Sequence, residues 1–151
     1  MDFITITKPA FSVIGKEGSS RDGEGFVPRL WQEANGHFSE IAHLIRMNGG
    51  IPAGVWGAMT DFSRSFLPWE NDFSEGLYLA GAECGDDALP PEGWVRWNVP
   101  GFEYRCVSAE IPFREALAAF LAEGYALAGA VQEFTDPAAM ESWLCFPVRR
   151  L

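Results

Sequence analysis

Glu133 stands in "AGAVQEFTD" (Ala128 to Asp136), a carboxylate amid apolar residues. Burying a charge there is expensive unless it is paired or faces a cavity. Two readings are open: an edge glutamate pointing into water, or a pocket carboxylate. In a pocket it could hold a cation, or act as an acid or base with a raised pKa. The aromatic residues give a second signal. Besides Trp31, the stretch from Trp56 to Tyr104 carries Phe62, Phe66, Trp69, Phe73, Tyr78, Trp94, Trp97 and Phe102. Aromatics dominate cores of this size, but Phe66 and Trp69 fall in a loop and exceed what a small sheet can bury. A wholly structural cluster is one reading. The other is an aromatic-lined pocket with one carboxylate, which suits a flat or cationic lipophilic ligand.

Other chemistry is thin. The chain has no P-loop, no GxGxxG after a strand, no HExxH and no GxSxG. The carboxylates of "ECGDD" lack calcium-loop spacing. His37 and His43 are six apart and do not share a helix face, so they read as surface residues and no metal or cofactor is expected. Cys84, Cys106 and Cys145 form an odd set without CxxC spacing and fall in apolar strands. They read as free thiols in a reducing compartment. With neither histidine near a cysteine in sequence, a Cys-His nucleophile has no support. The formal charge of −10 argues against direct nucleic-acid binding, which needs a basic patch. No apolar run approaches the roughly 20 residues that span a bilayer, and the N-terminus does not read as a signal peptide. The expectation is a cytoplasmic protein.

The elements that position these residues follow from periodicity. With 151 residues, 48% hydrophobic and 14% aromatic, the chain fits one domain with a substantial core. "FITITKPAFSVIGKEG" reads as a strand with Pro9 at an edge or bend. In "FVPRLWQEANGHFSEIAHLIRM", Val27, Trp31, Ala34, Phe38, Ile41 and Ile45 mark one helical face, ended by "NGG". Gly36 weakens that helix by about 1 kcal/mol relative to Ala. Two strands follow, "AGVWGAMTDF" and "GLYLAGAEC", separated by the long aromatic loop "SRSFLPWENDFSE". Loops of that length are often lids or binding loops. After "WVRWNVP" and "FEYRCVSAE" comes a second helix in "PFREALAAFLAEG", stopped by Gly124, then strands in "ALAGAVQEFTD" and "WLCFPVRRL".

Element order repeats, and so does a short motif. "AGVWGAMTD" (Ala53 to Asp61) and "AGAVQEFTD" share Ala-Gly and Thr-Asp at an offset of 75, each just after a helix. The expectation is an α+β domain over 1–151 with approximate halves 1–88 and 89–151. Each half is a βαββ unit, related to the other by a pseudo-two-fold. The curved antiparallel sheet would carry both helices on one side, with a ligand cleft between the halves. At offset 75, Trp56, Ala58 and Thr60 correspond to Val131, Glu133 and Thr135, so Ala58 against Glu133 is the informative mismatch.

The chain resembles the GyrI-like small-molecule-binding domain, also called the AraC-type effector-binding domain. The resemblance rests on "FSVIGKEG", on "LYLAGAECGDDALPPEGWVRWNVPGFEYRCVSAE" and on "GAVQEFTDP…ESWLCFPVRR". Within that family it looks like the stand-alone branch carrying an aromatic segment such as "WGAMTDFSRSFLPW". The resemblance implies a cleft for hydrophobic, often cationic, aromatic compounds, with Glu133 as its central glutamate and Tyr104 as the aromatic ending "GFEY". The expected walls are Trp56, Phe66, Trp69, Tyr78, Tyr104 and Phe146, the last because its strand should neighbour that of Glu133. One function is sensing or detoxification by binding, where any regulatory role would need a protein partner. A second is hydrolysis that opens the cyclopropane of DNA-alkylating natural products. Glu133 would then activate water and Tyr104 donate a hydrogen bond to the developing phenolate. A third is a gyrase-inhibitor-like protein-binding module.

Overall fold

Pro9, which cannot donate to a ladder, divides the opening β-branched run into two strands, β1 (Ile4–Lys8) and β2 (Phe11–Ser19). A computed structural model of the chain describes residues 1–151. Helix α1 (Phe26–Gly36) is shorter than its apolar stripe predicts. It stops at Gly36, and two 3-10 turns, Phe38–Glu40 and Ala42–Leu44, carry the stripe onward. Ile41 and Ile45 are still buried against the sheet, which is why the periodicity outlasts the helix. A small hairpin follows, β3 (Met47–Asn48) and β4 (Ile51–Pro52). Gly49 and Gly50 both take positive φ between its strands, as a tight hairpin turn requires.

The remaining elements are β5 (Val55–Thr60), the short, largely left-handed turn α2 (Glu70–Phe73), β6 (Leu77–Cys84), β7 (Val95–Val99), β8 (Phe102–Ser108), α3 (Phe113–Ala122), β9 (Gln132–Asp136) and β10 (Glu141–Arg150). Gly124 ends the last helix at φ 94. Eight strands form one curled antiparallel sheet in the order β1-β8-β10-β9-β5-β6-β2-β7. The βαββ order is present twice, as β2-α1-β5-β6 and β8-α3-β9-β10, and the two units meet where β5 pairs β9. The strand ahead of each unit crosses to the other: β1 pairs β8, and β7 pairs β2.

Both long helices lie on one face. Helix α1 covers Ile14, Tyr78, Ala80 and Ala82, while α3 packs Ala116, Leu117 and Phe120 against Val107, Val131, Leu144 and Phe146. On the far face Phe11, Trp56, Trp97 and Leu79 gather with Phe66 and Phe134, beside a second cluster of Phe102, Tyr104, Cys106 and Cys145. No helix is long and apolar enough to cross a membrane.

The register corrects the correspondence between the two motif copies. Trp56 pairs Phe134 and Gly57 pairs Glu133, so paired residues share a face. Glu133 and Val131 therefore lie on the helix face, whereas Trp56 and Ala58 lie on the far face. An offset of 75 is odd, and a one-residue slip turns every side chain to the opposite side. The units repeat as elements, but Ala58 is not the counterpart of Glu133.

Candidate functional site

Three strands bring the central residues together. Tyr78 on β6 and Glu133 on β9 flank Gly57 on β5, which pairs with Glu133 and neighbours Ala80. The Tyr78 hydroxyl donates to Glu133 Oε1 at 2.6 Å, and Trp31 Nε1–H of α1 donates to the Tyr78 oxygen at 3.0 Å. This chain of donors runs directly over Gly57. A Cβ at Gly57 would collide with both the Tyr78 hydroxyl and Glu133 Oε1, so the strand must be bare there.

Around this pair lies a cleft of about 230 Å³, lined by Val27, Met59, Trp69, Phe73, Tyr78, Phe113, Val131, Glu133 and Leu144. Val27 comes from α1 and Phe113 from α3, so the cleft sits between the two units. Glu133 is the one charged group among its walls. Burial pushes the Glu133 carboxyl up and the hydrogen bond from Tyr78 pulls it down; burial prevails and it stays above the usual carboxylate range. Burial and the adjacent Glu133 push the Tyr78 phenol up, so it remains a donor. None of the ion pairs in the protein includes Glu133. A half-buried carboxylate therefore faces an apolar cleft with one neutral partner.

The loop from Asp61 to Gly76 supplies the remaining wall. Its first turn is built on Asp61, which accepts from Ser63 Oγ, from Ser65 N–H at 3.0 Å, from Leu67 N–H at 3.3 Å and from Thr60 Oγ1 at 3.1 Å. Burial pushes the Asp61 carboxyl up, but these donors outweigh it and hold it below its usual value. Trp69 packs over Gly76, where a Cβ would strike the indole, and its Nε1–H donates to the Leu77 carbonyl at 3.0 Å. Asn71, Asp72 and Phe73 then take left-handed φ of 50°, 58° and 63°. Such residues each cost on the order of 1–2 kcal/mol, and this run turns Phe73 onto Phe113 with ring centroids 5.5 Å apart. Arg114 of α3 closes the bridge, donating to Asp72 Oδ1 and to the Asp72 carbonyl, each at 2.8 Å.

Of the residues singled out from the sequence, Trp69, Tyr78 and Glu133 line the cleft. Trp56, Phe66 and Tyr104 do not: they belong to the far face, where Trp56 packs between Phe11 and Phe134, and Phe66 against Trp97. Tyr104 is 1% exposed beside Phe102, its hydroxyl without a partner. Phe146 faces the helices but is buried beneath Phe113 and Phe120. The cleft instead uses Val27, Met59, Phe73, Phe113, Val131 and Leu144. Phe113 already opened an amphipathic helix face and Phe73 the end of the aromatic loop. No group of three metal-ligating side chains converges in the chain.

Fold and cleft together define a duplicated βαββ domain with an apolar, singly charged pocket between its units. No protein-family model matches the chain, and no curated protein matches it in sequence. Among solved structures it is similar in fold to SAV2435 bound to tetraphenylphosphonium, with TM-score 0.63 and 14% identity over 99% of this chain and 94% of that one. A candidate bacterial transcription regulation protein from Staphylococcus aureus MU50 gives TM-score 0.61 and 13% identity over 99% of both chains. An integron cassette protein from the mobile metagenome of Vibrio cholerae gives 0.51 and 16%, over 97% and 95%.

Proposed function

We propose that the chain binds lipophilic aromatic cations in the cleft between its units, with Glu133 as counter-charge, in the manner of a GyrI-like sensing or detoxifying domain. The observation that carries this reading is the half-buried Glu133, held over Gly57 by Tyr78 and lacking any basic partner. A cation entering the cleft supplies the charge that this carboxylate lacks, and the aromatic walls complement its delocalised surface. The similarity in fold to a protein bound to tetraphenylphosphonium supports the same class of ligand.

The test is titration of tetraphenylphosphonium against the cleft, read by calorimetry or by quenching of Trp69 fluorescence. Glu133→Gln should weaken the cation at least about tenfold, or 1.4 kcal/mol, and leave neutral triphenylphosphine oxide within a few-fold. Equal affinity for both ligands in both proteins would falsify the charge-matching role. A second reading, hydrolysis in the same cleft, is favoured by the raised carboxyl beside a hydroxyl donor. In that reading Tyr78 takes the hydrogen-bonding role expected of Tyr104, because Tyr78 is the phenol within reach of Glu133. Incubation with a cyclopropane-bearing alkylator decides it: stoichiometric binding without a ring-opened product in the mass spectrum removes the hydrolytic reading.

A further inference from the structure

The far face of the second unit carries a feature unrelated to the cleft. Cys106 of β8 and Cys145 of β10 are directly opposite in an antiparallel ladder. Opposed residues in such a ladder place their Cα atoms about 4.5–5.5 Å apart, inside the range that a disulfide spans. The two side chains point to the same face and meet: the Cys106 thiol donates to Cys145 Sγ at 2.7 Å, closer than two unbonded sulfurs ordinarily rest. They are 0% and 3% exposed, among Phe102, Tyr104, Ile6, Phe134 and Trp143. The Tyr104 hydroxyl in this cluster has no hydrogen-bond partner. Cys84 lies elsewhere, in the helix-face core of the first unit.

The geometry points to Cys106 and Cys145 as a redox-modification site, a cross-strand dithiol that a hydroperoxide converts to a disulfide without rearranging the sheet. The atoms balance in two steps. One sulfur attacks the peroxide, forming an S–O bond as the O–O bond breaks; the departing oxygen takes the thiol proton and leaves as water from hydrogen peroxide, or as the alcohol from an organic hydroperoxide. The second sulfur then attacks the sulfenic sulfur, forming S–S as S–O breaks, and the released hydroxide takes the second thiol proton. Two thiols lose two electrons, and the peroxide gains them. Tyr104 supplies the polar group in this apolar cluster that can hydrogen-bond the transient oxygen on sulfur. The hydrogen bond shared with Cys106, then burial, push the Cys145 thiol up. The bond closes a loop that contains α3 and β9, and so restricts the unfolded chain.

Full-length protein is treated with hydrogen peroxide, unfolded in iodoacetamide and mapped by mass spectrometry. Of the three cysteines, Cys106 and Cys145 should be lost together as one intramolecular linked peptide, restored by dithiothreitol, while Cys84 is alkylated. Cys84→Ser should leave the linkage intact, and Cys145→Ser should abolish it. Three alkylatable thiols, under conditions that oxidise free glutathione, would overturn the assignment. So would linkage through Cys84 or between chains, or conversion of either cysteine to a sulfinic acid without linkage. Wild type and Cys84→Ser suffice for these outcomes, so the test does not depend on the folding of the Cys145 variant.

Discussion

At the scale of single residues, Glu133 links stability to binding through one proton. Its carboxyl is raised from the usual 4.5 by burial, with no cation to offset it. The folded chain therefore holds that proton more tightly than the unfolded chain. Glu133's contribution to stability is full below the unfolded value and is lost as pH rises through the folded one. Binding of a permanently charged cation runs the opposite way, because proton and ligand compete for the same carboxylate. Tetraphenylphosphonium affinity should rise with pH and level off once pH passes the raised value of the free carboxyl, which lies above 4.5, with proton release on the rising limb. Glu133→Gln should flatten that profile and melt higher than wild type near neutral pH, the gap closing on acidification. A pH series of titrations and thermal melts checks both arms. The glutamate itself was legible in the sequence as a charge among apolar neighbours. Its partner was not, because alternation assigns parity within a strand and says nothing about which face a neighbouring strand shares. Tyr104 and Tyr78 look equivalent on that basis, and only the registers of β8 and β6 separate them.

At the scale of elements, the informative one is the strap formed by the loop after β5. It was legible as long, aromatic and suited to a lid, but its conformation was not. Three successive left-handed residues without a glycine, Asn71 to Phe73, run against local preference, and tertiary contacts must hold them. Those contacts are Phe73 on Phe113 and Arg114 on Asp72, both made to the opposite unit. Arg114 and Asp72 are exposed, so their pair adds little to global stability. Its leverage is on the strap alone. Arg114→Ala should leave the melting temperature nearly unchanged while speeding both entry and exit of tetraphenylphosphonium several-fold, read by stopped-flow Trp69 quenching. Unchanged rates would show that ligands bypass the strap. The helix α1 illustrates a related limit: its apolar stripe predicts burial correctly through Ile45, yet Gly36 ends the helix and 3-10 turns continue the same buried face.

At the scale of the whole molecule, the duplicated architecture was legible from element order, while the exchange of edge strands was not. Nothing local in "ITITK" says that it pairs with Glu103 and Arg105 of β8 rather than with the strand that follows it. The exchange has a consequence for how the halves depend on one another. A fragment covering 1–88 keeps β2, α1, β5 and β6 but loses β7, which covers the β2 edge, and leaves β1 without β8. A fragment covering 89–151 loses β1 and carries β7 unpaired. Each would also expose the apolar central strand, β5 or β9, along the pairing that joins Trp56 to Phe134. Small units with unsatisfied ladder groups on both edges are poor candidates for independent folding. Each fragment alone should therefore lack a cooperative thermal transition. Mixed or co-expressed, the two should assemble into one sheet, because three separate ladders rejoin at once: β1 with β8, β7 with β2, and β5 with β9. Reassembly should restore the cleft, which draws Val27 and Tyr78 from one fragment and Phe113 and Glu133 from the other. Circular dichroism melts and tetraphenylphosphonium titration of the separate and mixed fragments measure this directly. Cooperative melting of 1–88 by itself would show that the crossed strands are accessory, and that the first unit is a folding domain in its own right.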